Sequence, residues 1–142
     1  MILSDGVIGQ MMEKVELFEQ MPRATKYPDW ALVGKTADRG HRIITSLELE
    51  AEKQEKVNIR LQEKYKQMER EEVRYEASLC DDAEYVVVAY GSCARIAHKA
   101  VQMARKKGLK VGMFRPISLF PYPVEPIAKL AEKVKGFMAV VS

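Results

Sequence analysis

Glu84 to Tyr90 reads Glu-Tyr-Val-Val-Val-Ala-Tyr, lying between Asp81-Asp82 and Gly91-Ser92. Three consecutive β-branched valines with no polar alternation are the mark of a strand buried on both faces, and such strands belong to parallel sheets covered by helices. A helix should follow, and Ile96 to Lys107 places Ile96, Ala100, Val101 and Ala104 along one side before Gly108 ends it. Leu109 to Phe114 reads as the next strand, Val124 to Val134 as a helix with Pro126 in its first turn, and Phe137 to Val141 as a third strand. The order strand, helix, strand, helix, strand predicts an α/β fold: three αβα layers around a parallel sheet. A parallel sheet ending on an uncovered strand near Ser142 carries exposed edges, so we expect truncation there and a wider sheet in the parent protein.

Upstream, Arg42 to about Ser78 is rich in Glu, Lys, Arg and Gln and contains neither Gly nor Pro, which predicts one long helix. Ile44, Leu47, Ala51, Leu61, Tyr65, Met68, Tyr75 and Leu79 form a narrow stripe, interrupted by Gln54, Asn58 and Glu72. Three readings stand side by side: a dimerising coiled coil, an arm packed on its own protein or a sister subunit, and a solvated linker. Still further upstream, Met1-Ile2-Leu3 resembles the end of a buried strand running into the turn Ser4-Asp5-Gly6. A short helix is expected over Val7 to Met21, where Val7, Met11, Val15 and Phe18 are spaced at three and four, and Pro22 ends it. Pro22, Pro28, Gly34 and Gly40 then mark a loop, with Trp30 as its packing residue.

The chain has 142 residues, 47% apolar and 30% charged, with a formal net charge of +3. That describes one ordinary globular domain. Lys and Arg are interspersed with Glu, so no electrostatic footprint for nucleic acid stands out. No apolar run nears the roughly 20 residues that span a bilayer, and no secretory leader pattern opens the chain, so a cytoplasmic protein with no membrane partner is expected. Cys80 and Cys93 are too far apart for a Cys-x-x-Cys pair, and no metal site is expected.

Gly91-Ser92-Cys93-Ala94 sits where a strand passes into a helix, a place where open backbone N–H groups receive a phosphate; the plain alternative is a tight turn with a cap. Cys93 near a helix start has the position of a nucleophile but no base identifiable beside it, and His41 and His98 read as surface residues. Arg115-Pro-Ile-Ser-Leu-Phe-Pro-Tyr-Pro123 is a stiff segment leaving the C-terminal end of a parallel strand. Such a loop faces a ligand or partner, with Arg115, Phe120 and Pro121 as its contact residues, or else its prolines fix the following helix while Phe120 plugs the core. No catalytic residue is assigned.

Ala89-Tyr-Gly-Ser-Cys-Ala-Arg-Ile-Ala97 together with Arg115 to Pro123 resembles the transketolase C-terminal-like domain of 2-oxoacid:ferredoxin oxidoreductase α subunits, of the 2-ketoisovalerate type. Leu3-Ser-Asp-Gly-Val-Ile-Gly-Gln-Met-Met-Glu13 is similar to the end of the pyrimidine-binding domain that precedes it in that family. The resemblance implies a tail of that domain plus a loop over residues 1–41, a linker helix over 42–80, and a truncated transketolase C-terminal-like domain over 81–142. It implies oxidative decarboxylation of a 2-oxoacid to acyl-CoA with electrons passed to ferredoxin. Thiamine diphosphate, Mg2+ and iron–sulfur clusters would belong to the full complex, with none bound to this chain alone. The implied partners are the β subunit, a small cluster-bearing subunit, ferredoxin and coenzyme A, with self-association of the fragment. Asp5, Gly6, Gly9 and Gln10 would then lie near the cofactor interface, or form only a strand-to-helix turn. The competing reading is a small α/β interaction or nucleotide-binding module that dimerises through its coiled coil.

Overall fold

A computed structural model describes residues 1–23, 26–34, 37–38, 40–41 and 43–141. The chain forms two compact units: Met1–Met12 with Arg60–Ser142, and Glu13–Ile59. The first holds the sheet, built from β1 (Tyr75–Ser78), β2 (Tyr85–Ala89), β3 (Val111–Pro116) and β4 (Gly136–Val140) in the order β1-β3-β2-β4. β2 pairs in parallel with β3 and with β4, as the valine run predicts, whereas β1 joins the outer side of β3 antiparallel. The three strands expected to be parallel are so, and β1, which composition predicts as helix, adds one antiparallel edge that makes the sheet mixed.

Two helices cover its two faces. α3 (Gly91–Lys106) packs Ala94, Ala97 and Val101 against Ala89 and Met113, with Val87, Val111 and Val140 alongside. α4 (Val124–Ala131) lies on the opposite face, where Ile127, Leu130 and Val134 meet Val86, Val88, Phe114, Cys80 and Ala83. The pleat sends successive residues of β2 to opposite sides, so both halves of that run must be apolar. Phe114 is fully buried and stacks on Tyr75, ring centroids 5.1 Å apart, joining edge strand to core.

The long helix is shorter than its composition predicts: α2 spans Ala51–Glu71. Arg42, its expected first residue, lies outside the described residues, as does Ser142 at the end of the chain. Residues 43–50 are not helical, and the Thr45 hydroxyl accepts the Leu47 N–H at 3.1 Å, a local bond that competes with helix formation. At the other end, Tyr75 to Ser78 are drawn into the sheet by the free side of β3, register Tyr75↔Pro116 to Ser78↔Met113. Tertiary pairing overrides helix propensity there. In the C-terminal half of α2, Leu61 and Met68 are half-buried and Tyr65 meets Phe120 edge-on at 5.7 Å, an arm packed on its own protein.

The N-terminal expectations are corrected too. Met1 to Leu3 are exposed and form no strand, and the helix predicted over Val7 to Met21 is reduced to the single turn α1 (Gly6–Gln10). Val15 and Phe18 of its apolar stripe are exposed, and short helices depend on packing such a stripe. In the second unit, Trp30 is exposed rather than packed, and Ala31 donates to the Pro28 carbonyl in a turn. No described helix is long and apolar enough to cross a membrane.

Candidate functional site

The end of β2 runs straight into α3 through Tyr90 and Gly91. Gly91 has φ +59°, the left-handed region in which a side chain is strained, so the chain turns sharply enough to aim the first amides of α3 outward. Tyr90 is the N-cap and supplies no side-chain bond. The cap comes instead from the other end of the chain: the Asp5 carboxylate accepts the Ser92 N–H at 3.2 Å, and also accepts the Val7 N–H at 2.8 Å and the Ile8 N–H at 3.4 Å. One carboxylate thus caps α1 and α3 together. Its hydrogen bonds to Ser92, first, and to Val7 hold the Asp5 carboxyl below the usual range. Of the N-terminal candidates, Asp5 is therefore brought to Ser92, whereas Gly6, Gly9 and Gln10 are exposed on α1, with open space where a Cβ would stand at either glycine.

Beside this junction is a cleft of ≈ 420 Å³. One wall is a single stripe of α3, Gly91, Ala94, Arg95 and His98, at the one, three and four spacing that shares a helix face. The floor is the paired stretch of β3 and β1: Met113 and Arg115, with their cross-strand partners Ser78 and Glu76. Ile8 of α1 closes one end. Arg115 donates to Glu76 at 3.0 Å, so its guanidinium is tethered over the floor. Gly91 and Arg115, named from sequence separately, meet in this cleft. Arg95 and His98 are exposed members of the same cleft that sequence reasoning missed, because half of its floor is a strand read as helix.

Phe120 and Pro121 lie elsewhere. Phe120 is 60% exposed and rests on Tyr65, so it does not plug the core; Phe114 does. Pro121 is buried, after a cis Phe120-Pro121 bond. The loop is held at its root by the Ile117 and Ser118 N–H groups, both donating to the Arg74 carbonyl at 3.0 Å, and by the Arg74 N–H donating to the Ser118 hydroxyl at 2.9 Å.

On the other side of α3 lies a second, apolar groove of ≈ 300 Å³ between α3 and β4, lined by residues such as Ile96, Ala100, Ala104 and Met138. Cys93 is half-buried against the α3-side core, and burial pushes the Cys80 thiol up despite its bonds to the Met113 and Ser78 carbonyls. Among the described residues no three His, Cys, Asp or Glu side chains converge as metal donors. An iron–sulfur cluster takes four cysteines, and the chain has two. The two cysteines of this chain do not by themselves supply the ligands of a cluster.

Residues 83–141 match the sequence model of the family described as pyruvate:ferredoxin oxidoreductase core domain II, which takes in β2 to β4 with both covering helices. Ketoisovalerate oxidoreductase subunit VorB of Methanothermobacter thermautotrophicus is 42% identical over 139 residues, 98% of this chain and 39% of that protein. 2-Oxoglutarate synthase subunit KorA of Methanocaldococcus jannaschii is 30% identical over 154 residues, covering 93% and 42%. Ketoisovalerate oxidoreductase subunit VorA of Pyrococcus furiosus is 38% identical over 61 residues, 43% of this chain and 16% of that protein. The chain spans 39% of the length of the first of these relatives. The 42% identical relative is named VorB, so the names do not carry the α-subunit expectation.

Proposed function

We propose that this chain is a segment of a VorB-type subunit of a 2-oxoacid:ferredoxin oxidoreductase, acting on a branched substrate such as 2-ketoisovalerate, and that its own part is architectural. The observation that carries this reading is the coincidence of the core domain II match with the three-layer unit around β2. The α subunit of the sequence reading is replaced by the VorB type because that name belongs to relatives aligned along 98% of the chain. In this reading thiamine diphosphate and the clusters are held by other parts of a cytoplasmic complex. A VorA-type subunit, a cluster-bearing subunit, ferredoxin and coenzyme A are its partners. The residue limits 1–41, 42–80 and 81–142 move with α2, so the linker in this reading is the helix Ala51–Glu71.

Asp5, Gly6, Gly9 and Gln10 keep the role of an interface beside the cofactor-bearing domain, with Asp5 tying that segment to α3. Self-association has a surface in β4, an edge strand that exposes Met138. A free-standing nucleotide-binding module is disfavoured because Asp5 already accepts the Ser92 N–H that a phosphate would need. The test is reconstitution. Tagged chain co-produced with the other subunits should co-purify with them, and the assembly should reduce a viologen dye in a manner dependent on coenzyme A and 2-ketoisovalerate. Equal activity when the chain is left out would refute the proposal.

A further inference from the structure

α3 is flanked by two hollows whose linings differ in kind. The groove toward β4 is floored by Val87, Val111, Met138 and Val140, the composition of a surface that packs against protein. The cleft toward β1 is floored by Glu76, Ser78 and Arg115 and walled by Arg95 and His98, with apolar contact left only at Ile8, Ala94 and Met113. The difference follows from topology. β1 extends the sheet past the reach of α3, so its α3-side face is solvated and free to carry charge.

We propose that this cleft binds a small organic anion, a carboxylate or phosphate head with a short apolar tail. The chemistry is written in the lining. Arg115 presents a planar fork suited to two oxygens of such a head, and Glu76 holds it in place at 3.0 Å. Arg95 stands across from it on α3 with His98 three residues further on, so one guanidinium comes from a helix and one from a strand. Ile8, Ala94 and Met113 offer the tail a dry patch, and ≈ 420 Å³ lies within the range of small-molecule sites. Two carboxylates oppose the anion: Glu76 competes with the ligand for Arg115, and Asp5 stands at the Gly91 end on the Ser92 N–H, and together they set a weak affinity for the native chain. The site stands on this chain's own residues and does not depend on the oxidoreductase reading.

The experiment uses the chain as it is, with inorganic phosphate and 2-ketoisovalerate as separate probes, followed by calorimetry and by amide shifts. Both probes should saturate with dissociation constants of about 1 mM and move the amides of Gly91, Ala94, Arg95 and His98. Tighter binding of the oxoacid places its tail on Met113 and Ile8, and equal binding shows that the head alone is read; either supports the cleft. Arg115→Ala should weaken binding ~10-fold, and Arg95→Gln, which leaves the floor intact, about 5-fold. Glu76→Gln should tighten it about 3-fold, a change of opposite sign that loss of structure cannot produce. Absence of saturation by ~10 mM for both probes, or no tightening in Glu76→Gln with its melting temperature unchanged, would overturn the proposal.

Discussion

Gly112 is the second residue of β3, and a methyl group added there has nowhere to go. Its Cβ would lie 2.8 Å from the Leu79 carbonyl oxygen, 3.0 Å from Cys80 Sγ and 3.1 Å from Ala83 Cβ. None of these neighbours gives way easily. The Leu79 carbonyl accepts from Arg105 Nη2 at 2.7 Å, Leu79 itself is fixed at φ +56°, and Cys80 Sγ donates to the Met113 carbonyl at 3.3 Å. Overpacking costs about 1–3 kcal/mol, and a contact with an anchored carbonyl puts Gly112→Ala at the upper end. Removing a flexible glycine returns about 0.5–1 kcal/mol, which leaves a net loss of about 2 kcal/mol.

Gly136, which opens β4, supplies the control. A Cβ there meets only the Tyr85 ring, at 3.7 and 3.8 Å, so Gly136→Ala should gain the entropic part and lose nothing. With a urea slope of about 1 kcal/mol/M, the midpoint of Gly112→Ala should fall about 2 M below that of wild type, and that of Gly136→Ala should stay level or rise. Circular dichroism against urea measures both. Midpoints for the two variants within about 0.5 M of each other would show that the Leu79 to Ala83 turn does not lie over β3, and the account of why this strand carries a glycine would fail.

Phe114→Ala, which empties a fully buried ring position, should destabilise by about 3–5 kcal/mol in the same urea experiment, far more than truncation of the exposed Phe120. The Arg105 guanidinium donates to both Asp82 oxygens, at 2.7 and 2.8 Å, and holds that carboxyl below its ordinary value. Because the folded state prefers the ionised form, the contribution is whole above the ordinary carboxylate range and disappears as pH falls through the lowered folded value; Asp82→Asn should abolish that part of the acid dependence of the melting temperature. Cys80 is buried with a raised pKa, whereas Cys93 is half-buried, so a thiol reagent at pH 8 should label Cys93 first and reach Cys80 only as the protein unfolds. Asp5→Asn should speed amide exchange at Val7, Ile8 and Ser92 and leave the β2–β3 ladder unchanged, since only the first three bonds involve that carboxylate.

The elements that could be read from sequence are those whose cause is local. The valine run, Gly108 closing α3, and Pro126 in the first turn of α4 each carry their reason within a few residues, and the order from β2 to β4 is as these signals give it, although α3 starts at Gly91 rather than Ile96 and α4 ends at Ala131 rather than Val134. β1 carries no such signal. Arg74-Tyr-Glu-Ala-Ser78 continues a helix-favouring composition, and what makes it a strand is the unpaired side of β3, with Tyr75 opposite Pro116. Losing β1 also hid the cleft, because Glu76 and Ser78 supply half its floor, and His98 without that floor reads as one more surface residue. Gly91 and Arg115 were legible as residues leaving strand ends, but the meeting of Asp5 with Ser92 spans 87 positions and leaves no trace in either segment.

The order of the strands explains the run that first gave the fold away. The chain passes from β2 outward to β3, then back across β2 to β4 on its far side. Crossovers between parallel strands are right-handed in nearly all proteins, so two that travel in opposite directions must place their helices on opposite faces. α3 and α4 are so placed, and β2, the strand both connections straddle, is covered twice. Val86 and Val88 face α4 while Val87 and Ala89 face α3, so both faces of that strand call for apolar side chains. β3 relaxes the rule beyond the helix: Arg115 follows Phe114, is exposed, and turns toward Glu76 of the strand that no crossover covers. Uninterrupted apolarity in β2 and a charged step at the end of β3 are therefore two consequences of one reversal in the path of the chain.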